Sequence, residues 1–150
     1  MAGVSTGFAA LNRNKKSVCI DLDSAAGQQL VARLAAGADV LVHSLKPGSA
    51  EARGLGDEQL RPANPRLVYC ALTGYGQDGP YRDRAGHDID YIGLAGILEA
   101  TGRPDGPPVL PAVQVGDLGG GMAAAVAVVA GLREAAVTGQ GRVLDVSMLD

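Results

Sequence analysis

Asp39-Val40-Leu41-Val42-His43-Ser44-Leu45-Lys46-Pro47-Gly48 decides the fold of this chain. Val40 to Val42 is a continuous apolar run, which reads as a strand covered on both faces. Lys46-Pro47-Gly48 closes it in a turn. Upstream, Val18-Cys19-Ile20-Asp21-Leu22 is a second β-rich run, and Asp23-Ser24 follows as an N-cap. From Ala25 to Ala36 the apolar residues Leu30, Val31 and Leu34 share one helical face, and Gly37 ends the helix. Downstream, short helical stretches cover Ala50 to Arg53 and Asp57 to about Arg61, until Asn64-Pro65 breaks the second. Leu67 to Leu72 is a third strand. Strand, helix, strand, helix, strand at this spacing predicts right-handed βαβ units, hence an α/β fold with a parallel sheet and flanking helices.

In such sheets ligands gather beyond the carboxyl ends of the strands. That rule selects Leu22-Asp23, His43 to Gly48 and Thr73 to Gly79, all polar or glycine-rich. Gly74 to Gly86 then reads as an extended loop, and His87 to Ala100 as a helix with Ile89, Ile92, Ala95 and Leu98 on its apolar face. Thr101 to Pro111 is a second, proline-rich loop. A long helix follows from about Gly116 to Ala136, its start carrying Gly119, Gly120 and Gly121 for close packing. Arg142 to Val146 is the last strand.

Composition narrows the function classes. The net charge of −3 gives no basic footprint for nucleic acid. Cys19 and Cys70 lie in apolar runs without metal-binding spacing, so both are expected to be buried, reduced thiols. No secretory signal is evident at the N-terminus, and Met122 to Leu132 is too short a run to span a bilayer. A cytoplasmic protein acting without membrane or nucleic acid is the expectation. Only 3% of residues are aromatic while 22 are glycine, which suggests close packing of small residues or a core completed from outside the chain.

The strongest chemical signal is Gly86-His87-Asp88 at a helix start. The positive end of the helix dipole favours the neutral, basic imidazole, and first-turn N–H groups can hold an oxyanion. That combination suits proton abstraction beside a carbonyl, although His87 or Asp88 as a plain helix cap accounts for the same residues. Asp117, in Val115-Gly116-Asp117-Leu118-Gly119-Gly120-Gly121, starts the second long helix and is open to the same two readings. Gly74-Tyr75-Gly76-Gln77-Asp78-Gly79-Pro80 lacks the lysine of a phosphate loop, no serine sits in a nucleophile elbow, and no metal spacing exists. Arg13, Lys15 and Lys16 could meet a phosphate or form a solvated cluster.

Asn12-Arg13-Asn14-Lys15-Lys16-Ser17-Val18 with Asp21-Leu22, the strand-and-turn of residues 39–48, and Leu72-Thr73-Gly74-Tyr75-Gly76-Gln77-Asp78-Gly79-Pro80 together resemble the class III CoA-transferase family in order and spacing. Gly86-His87-Asp88-Ile89-Asp90-Tyr91 and the Asp117 segment are similar to its 2-methylacyl-CoA racemase branch. The resemblance implies a Rossmann-like sheet forming an incomplete large domain over residues 1–150, with the family's N-terminal strand segment and carboxyl half absent. It implies that His87 and Asp117 exchange the α-proton on opposite faces of a thioester while the Asp88 N–H holds the enolate oxygen. CoA would lie along Ile20, Leu22, Leu45, Lys46 and Gly86, and Tyr91 would line the acyl or pantetheine channel. The thioester is the substrate, no further cofactor or metal is implied, and the full-length family forms homodimers. Alternatives are a CoA-transferase with Asp88 as nucleophile, and a non-catalytic CoA-binding fragment. The chain departs from the family pattern at Lys46 (usually Arg), His43 (commonly Glu) and Asp23 (often Lys).

Overall fold

The computed structural model describes residues 3–150. Three parallel strands, β1 (Val40–His43), β2 (Val68–Thr73) and β3 (Val143–Ser147), lie side by side in that order. The middle strand is the heart of the core: Val68, Tyr69, Cys70 and Ala71 are all buried, as an unalternating apolar run requires. Around the sheet stand α1 (Thr6–Leu11), α2 (Ala25–Ala36), α3 (Asp57–Leu60), α4 (Asp88–Leu94) and α5 (Val115–Thr138), with a single 3-10 turn at Glu51–Arg53. The α/β reading with a parallel sheet and flanking helices holds.

Local chemistry explains the elements. Ser24 Oγ accepts the Gly27 N–H at 3.0 Å and so caps the start of α2. At the other end, Asn64 Nδ2 donates to the carbonyls of Ala35 and Ala38 at 3.0 and 2.7 Å. The Ala35 carbonyl also accepts the Ala38 N–H at 3.2 Å, so the residue before Pro65 ties down the whole turn that leaves α2. The Tyr69 hydroxyl donates to the Leu55 carbonyl at 3.1 Å, and burial, with Glu51 and Asp57 adding to it, pushes this phenol up to about 12.

Several expectations are corrected. Residues 18–22 form no strand, because an extended segment needs a neighbouring ladder and none pairs with it among the described residues. Val18 and Cys19 are exposed, so the Cys19 thiol is not a buried one, whereas Cys70 is buried and its thiol is pushed up by that burial, with Asp145 adding to it. From this segment Leu22 packs against the cluster around Leu55, Leu60 and Leu67. The helix expected from His87 to Ala100 stops at Leu94, where Gly93 weakens the last turn and Gly96 takes a left-handed φ of 78°. Helix α1, set by Ser5 accepting the Phe8 N–H at 3.1 Å, lies outside the elements expected from the sequence; it buries no residue, and its Phe8 and Leu11 stay exposed.

Helix α5 is longer than expected, at 24 residues, and by length and composition it is long and apolar enough to cross a membrane. In the fold it rests on the sheet through a stripe of small residues: Gly120, Ala124, Gly131 and Ala135 are buried. A Cβ on Gly131 would stand 3.1 Å from Val68 Cγ1, and one on Gly120 would stand 3.0 Å from Met148 Cγ. Nothing lies within 4 Å of the corresponding position on Gly119 or Gly121, so only the middle glycine of the triplet serves packing. The opposite face leaves Met122, Val126, Val129 and Val137 exposed.

The turn out of α5 depends on Gly141, where a Cβ would fall 2.0 Å from the Leu67 carbonyl oxygen. Gly141→Ala is therefore expected to destabilise the fold by about 1–3 kcal/mol or more, since the obstacle is backbone. Gly121→Ala, on an open helix surface, is expected to stabilise it by up to about 1 kcal/mol. Urea unfolding of the two variants checks both signs.

Candidate active site

His87 occupies the N-cap position of α4, and its N–H donates to the Asp90 carboxylate at 2.8 Å. Asp88 is the first residue of that helix. Its Oδ1 does not stay with α4: it accepts the Asp117 N–H at 3.1 Å, across 29 residues of sequence. Asp117 is the third residue of α5, among the first-turn N–H groups that have no acceptor inside their own helix. The N-cap of α5 is Gln114, whose side chain makes no capping bond. Of the two readings open to Asp117, the plain cap falls: Asp88 caps α5 from the neighbouring helix. That one bond sets the two helix starts against each other. His87, Asp88 and Asp117 accordingly line one cleft of about 440 Å³, with Ile89, Leu110 and Pro111 among its walls.

Tyr91 anchors the turn that presents His87. Its ring is buried, its hydroxyl donates to the Gly86 carbonyl at 2.7 Å, and Tyr75 meets it edge-on with centroids 5.2 Å apart. A Cβ on Gly86 would fall 2.7 Å from both the Tyr75 hydroxyl and the Tyr91 ring, and one on Gly74 would fall 2.5 Å from the Tyr91 hydroxyl. Both glycines are needed for the ring to fit. Burial, then Tyr75 and the nearby carboxylates of Asp117, Asp90 and Asp88, push the Tyr91 phenol up, so it remains a proton-bearing donor to Gly86.

The strand ends supply a second cleft of about 430 Å³, walled by Ser44 to Pro47, Leu72 to Tyr75, Arg82 to Gly86, and Tyr91. Gly86 in its wall is the chain neighbour of His87 in the first cleft. Lys46 approaches Asp83 at 3.7 Å, an exposed pair of little energetic weight. Arg82 and Arg84 also line this cleft and were missed in the sequence, although Arg82-Asp83-Arg84 was visible inside the glycine loop. Three cations against one carboxylate make this wall positive. Leu22 and Leu45 meet in a smaller apolar pocket of about 170 Å³ with Val31, Leu41 and Leu55.

The expected site residues therefore fall into groups. His87, Asp88 and Asp117 come together, as do Leu45, Lys46, Gly86 and Tyr91, while Leu22 joins Leu45 alone. Ile20 is half-buried and lines none of these clefts. Lys15 and Lys16 border a separate groove with Phe8 and Asn12. No cluster of His, Cys, Asp or Glu arranged to hold a metal occurs among the described residues.

Comparison with known proteins extends these observations. The family model described as CoA-transferase family III matches residues 1–150. The chain is 41% identical to succinyl-CoA:glutarate CoA-transferase of Mus musculus over 97% of its own length and 33% of that relative. It is 39% identical to alpha-methylacyl-CoA racemase of Mus musculus, over 97% of this chain and 39% of the relative. Among solved structures, a CAIB/BAIF family protein from Brucella suis superposes with a TM-score of 0.89 at 39% identity, covering 93% of this chain and 37% of that one. The chain thus spans somewhat more than a third of the length of such relatives at most.

The bond from Asp117 to Asp88 makes a separable prediction. Asp88→Ala removes the cap and is expected to lower stability by about 1 kcal/mol. Asp88→Asn keeps an acceptor oxygen and is expected to unfold within a few tenths of a kcal/mol of the parent. Chemical denaturation of both variants checks the pair, and equal losses would show that the bond contributes nothing.

Proposed function

This chain belongs to CoA-transferase family III, and from that premise we propose that the protein is an acyl-CoA racemase that interconverts 2-methylacyl-CoA epimers by α-proton exchange. One observation carries the reading: His87 and Asp117, at the starts of two helices joined through Asp88, line one cleft. A base and an acid on facing helix starts can address opposite faces of one carbon. In one direction the neutral imidazole of His87 takes the α-proton, and the C–H electron pair moves into the thioester carbonyl to give an enolate. The Asp88 N–H, at the first position of α4 and without an acceptor inside its helix, would hold the enolate oxygen. Protonated Asp117 then returns a proton to the other face. The reverse reaction exchanges the two roles.

The CoA portion is assigned to the second cleft. Lys46 alone cannot give the planar, two-pronged contact that a guanidinium gives a phosphate, and Arg82 and Arg84 on the same wall supply two such groups. The thioester is the substrate, and the scheme uses no further cofactor.

A second reading has its own support. Asp88 lies in the same cleft, the Asp117 N–H engages its Oδ1 and leaves Oδ2 to attack, and CoA-transferases stand among the relatives. In that reading Asp88 attacks the thioester to form an acyl anhydride and release CoA thiolate; the thiolate then attacks the aspartyl carbonyl and expels the donor carboxylate, leaving CoA on Asp88 as a thioester for transfer to an acceptor acid.

Incubating a single 2-methylacyl-CoA epimer in deuterated water separates the two. The racemase reading expects deuterium at the α-carbon without any acceptor acid, lowered roughly 10²–10⁴-fold by His87→Ala and by Asp117→Asn. A hydroxylamine-trapped adduct on Asp88 with no exchange would favour the transferase. CoA binding with neither reaction would leave a binding fragment.

A further inference from the structure

At the end of β1 the His43 ring is turned inward. Its Nδ1 accepts the Leu45 N–H at 3.2 Å, and its Nε2 is buried with no hydrogen-bond partner among the described residues. Because Nδ1 is the acceptor, the neutral ring must carry its proton on Nε2. Tyr69 of β2 meets the ring edge-on with centroids 5.2 Å apart, and Leu22, Leu41, Leu45, Ala50 and Leu55 share the same apolar pocket. The charged group acting on it is Glu51, from the 3-10 turn, and the Tyr69 phenol is a titratable group packed against it.

We propose that His43 is a positioning residue for the acyl-CoA cleft: its neutral ring holds Leu45 and, through it, residues 44–47 in the cleft wall, and protonation releases them. This rests on the reading that the cleft lined by Leu45 and Lys46 takes a CoA thioester. The chemistry is direct. A proton on Nδ1 replaces the acceptor by a second donor facing the Leu45 N–H, and it places a cation among aliphatic side chains with no acceptor for its second N–H. Leu45 and Lys46 both line the cationic cleft, so a loosened 44–47 segment moves the Lys46 ammonium and the apolar contact of Leu45 together.

The direction with pH follows from burial. Desolvation lowers the His43 value from 6.5, more than the Glu51 carboxylate raises it. A group depressed in the folded state contributes its stabilising contact fully above the unfolded value and loses it as pH falls through the lower, folded one. The contact is therefore intact at neutral pH and breaks on the acid side of 6.5.

The test uses the full chain and His43→Asn, whose Oδ1 is an acceptor on a short side chain that does not titrate. In the wild-type protein without ligand, the Leu45 amide resonance is expected to shift with the same midpoint as the His43 ring. CoA itself carries a phosphomonoester titrating near pH 6, so the useful quantity is the ratio of wild-type to variant Kd for CoA. That ratio is expected to rise as pH falls below the His43 midpoint, by up to about tenfold per pH unit. A Leu45 amide indifferent to the His43 titration, or a ratio that does not change with pH, overturns the proposal. If the Leu45 amide follows the ring but neither protein binds CoA at any pH, the coupling stands and the acyl-CoA reading falls.

Discussion

A single charge-assisted bond, from the Asp117 N–H to the Asp88 carboxylate, is the contact on which the site's geometry depends. Two helices that start in different loops, separated by a proline-rich stretch, have no reason of their own to bring their N-termini together. Each leaves first-turn N–H groups without partners, and a carboxylate in one helix that accepts from the other satisfies the deficit and fixes the distance at once. With that bond in place, the histidine one residue before Asp88 and the Asp117 side chain line the same cleft. Candidate chemistry and local stability thus share a residue: Oδ1 of Asp88 holds the Asp117 N–H, while its own N–H serves the racemase scheme and its Oδ2 the transferase scheme.

The second constraint is close approach. The turn at Gly86 exists because Tyr91 and Tyr75 fill the volume where a side chain would stand, and α5 lies on the sheet because Gly120 and Gly131 leave room for Met148 and Val68. Small residues in this chain serve particular neighbours. Where no neighbour exists, as at Gly119 and Gly121, the same residue type marks only an open helix surface.

These distinctions set what was legible in the sequence. The strands at 40–42 and 67–72 and the helix at 25–36 could be read because hydrophobic pattern and capping signals agree there, and the rim loops followed from the parallel topology. His87 and Asp117 could be picked out as helix-start residues, but the bond joining their helices could not, since nothing local in Asp88 points to an acceptor role 29 residues away. Residues 18–22 have the composition of a strand, yet strand formation depends on a partner that composition cannot reveal. The inward turn of His43 and the arginines beside Lys46 were hidden for the same reason: both are matters of which loops meet at the carboxyl ends of the strands.

In the proposed reaction one cleft holds the α-carbon of an acyl-CoA between His87 and Asp117, with its CoA portion running past Lys46. A crystal structure of the chain with a 2-methylacyl-CoA bound tests this most directly. The expected result is the α-carbon between the imidazole and the Asp117 carboxylate, the thioester oxygen at the Asp88 N–H, and phosphate density beside Arg82 and Arg84. A thioester seated outside both clefts, for instance along the exposed Met122–Val137 face of α5, would contradict it.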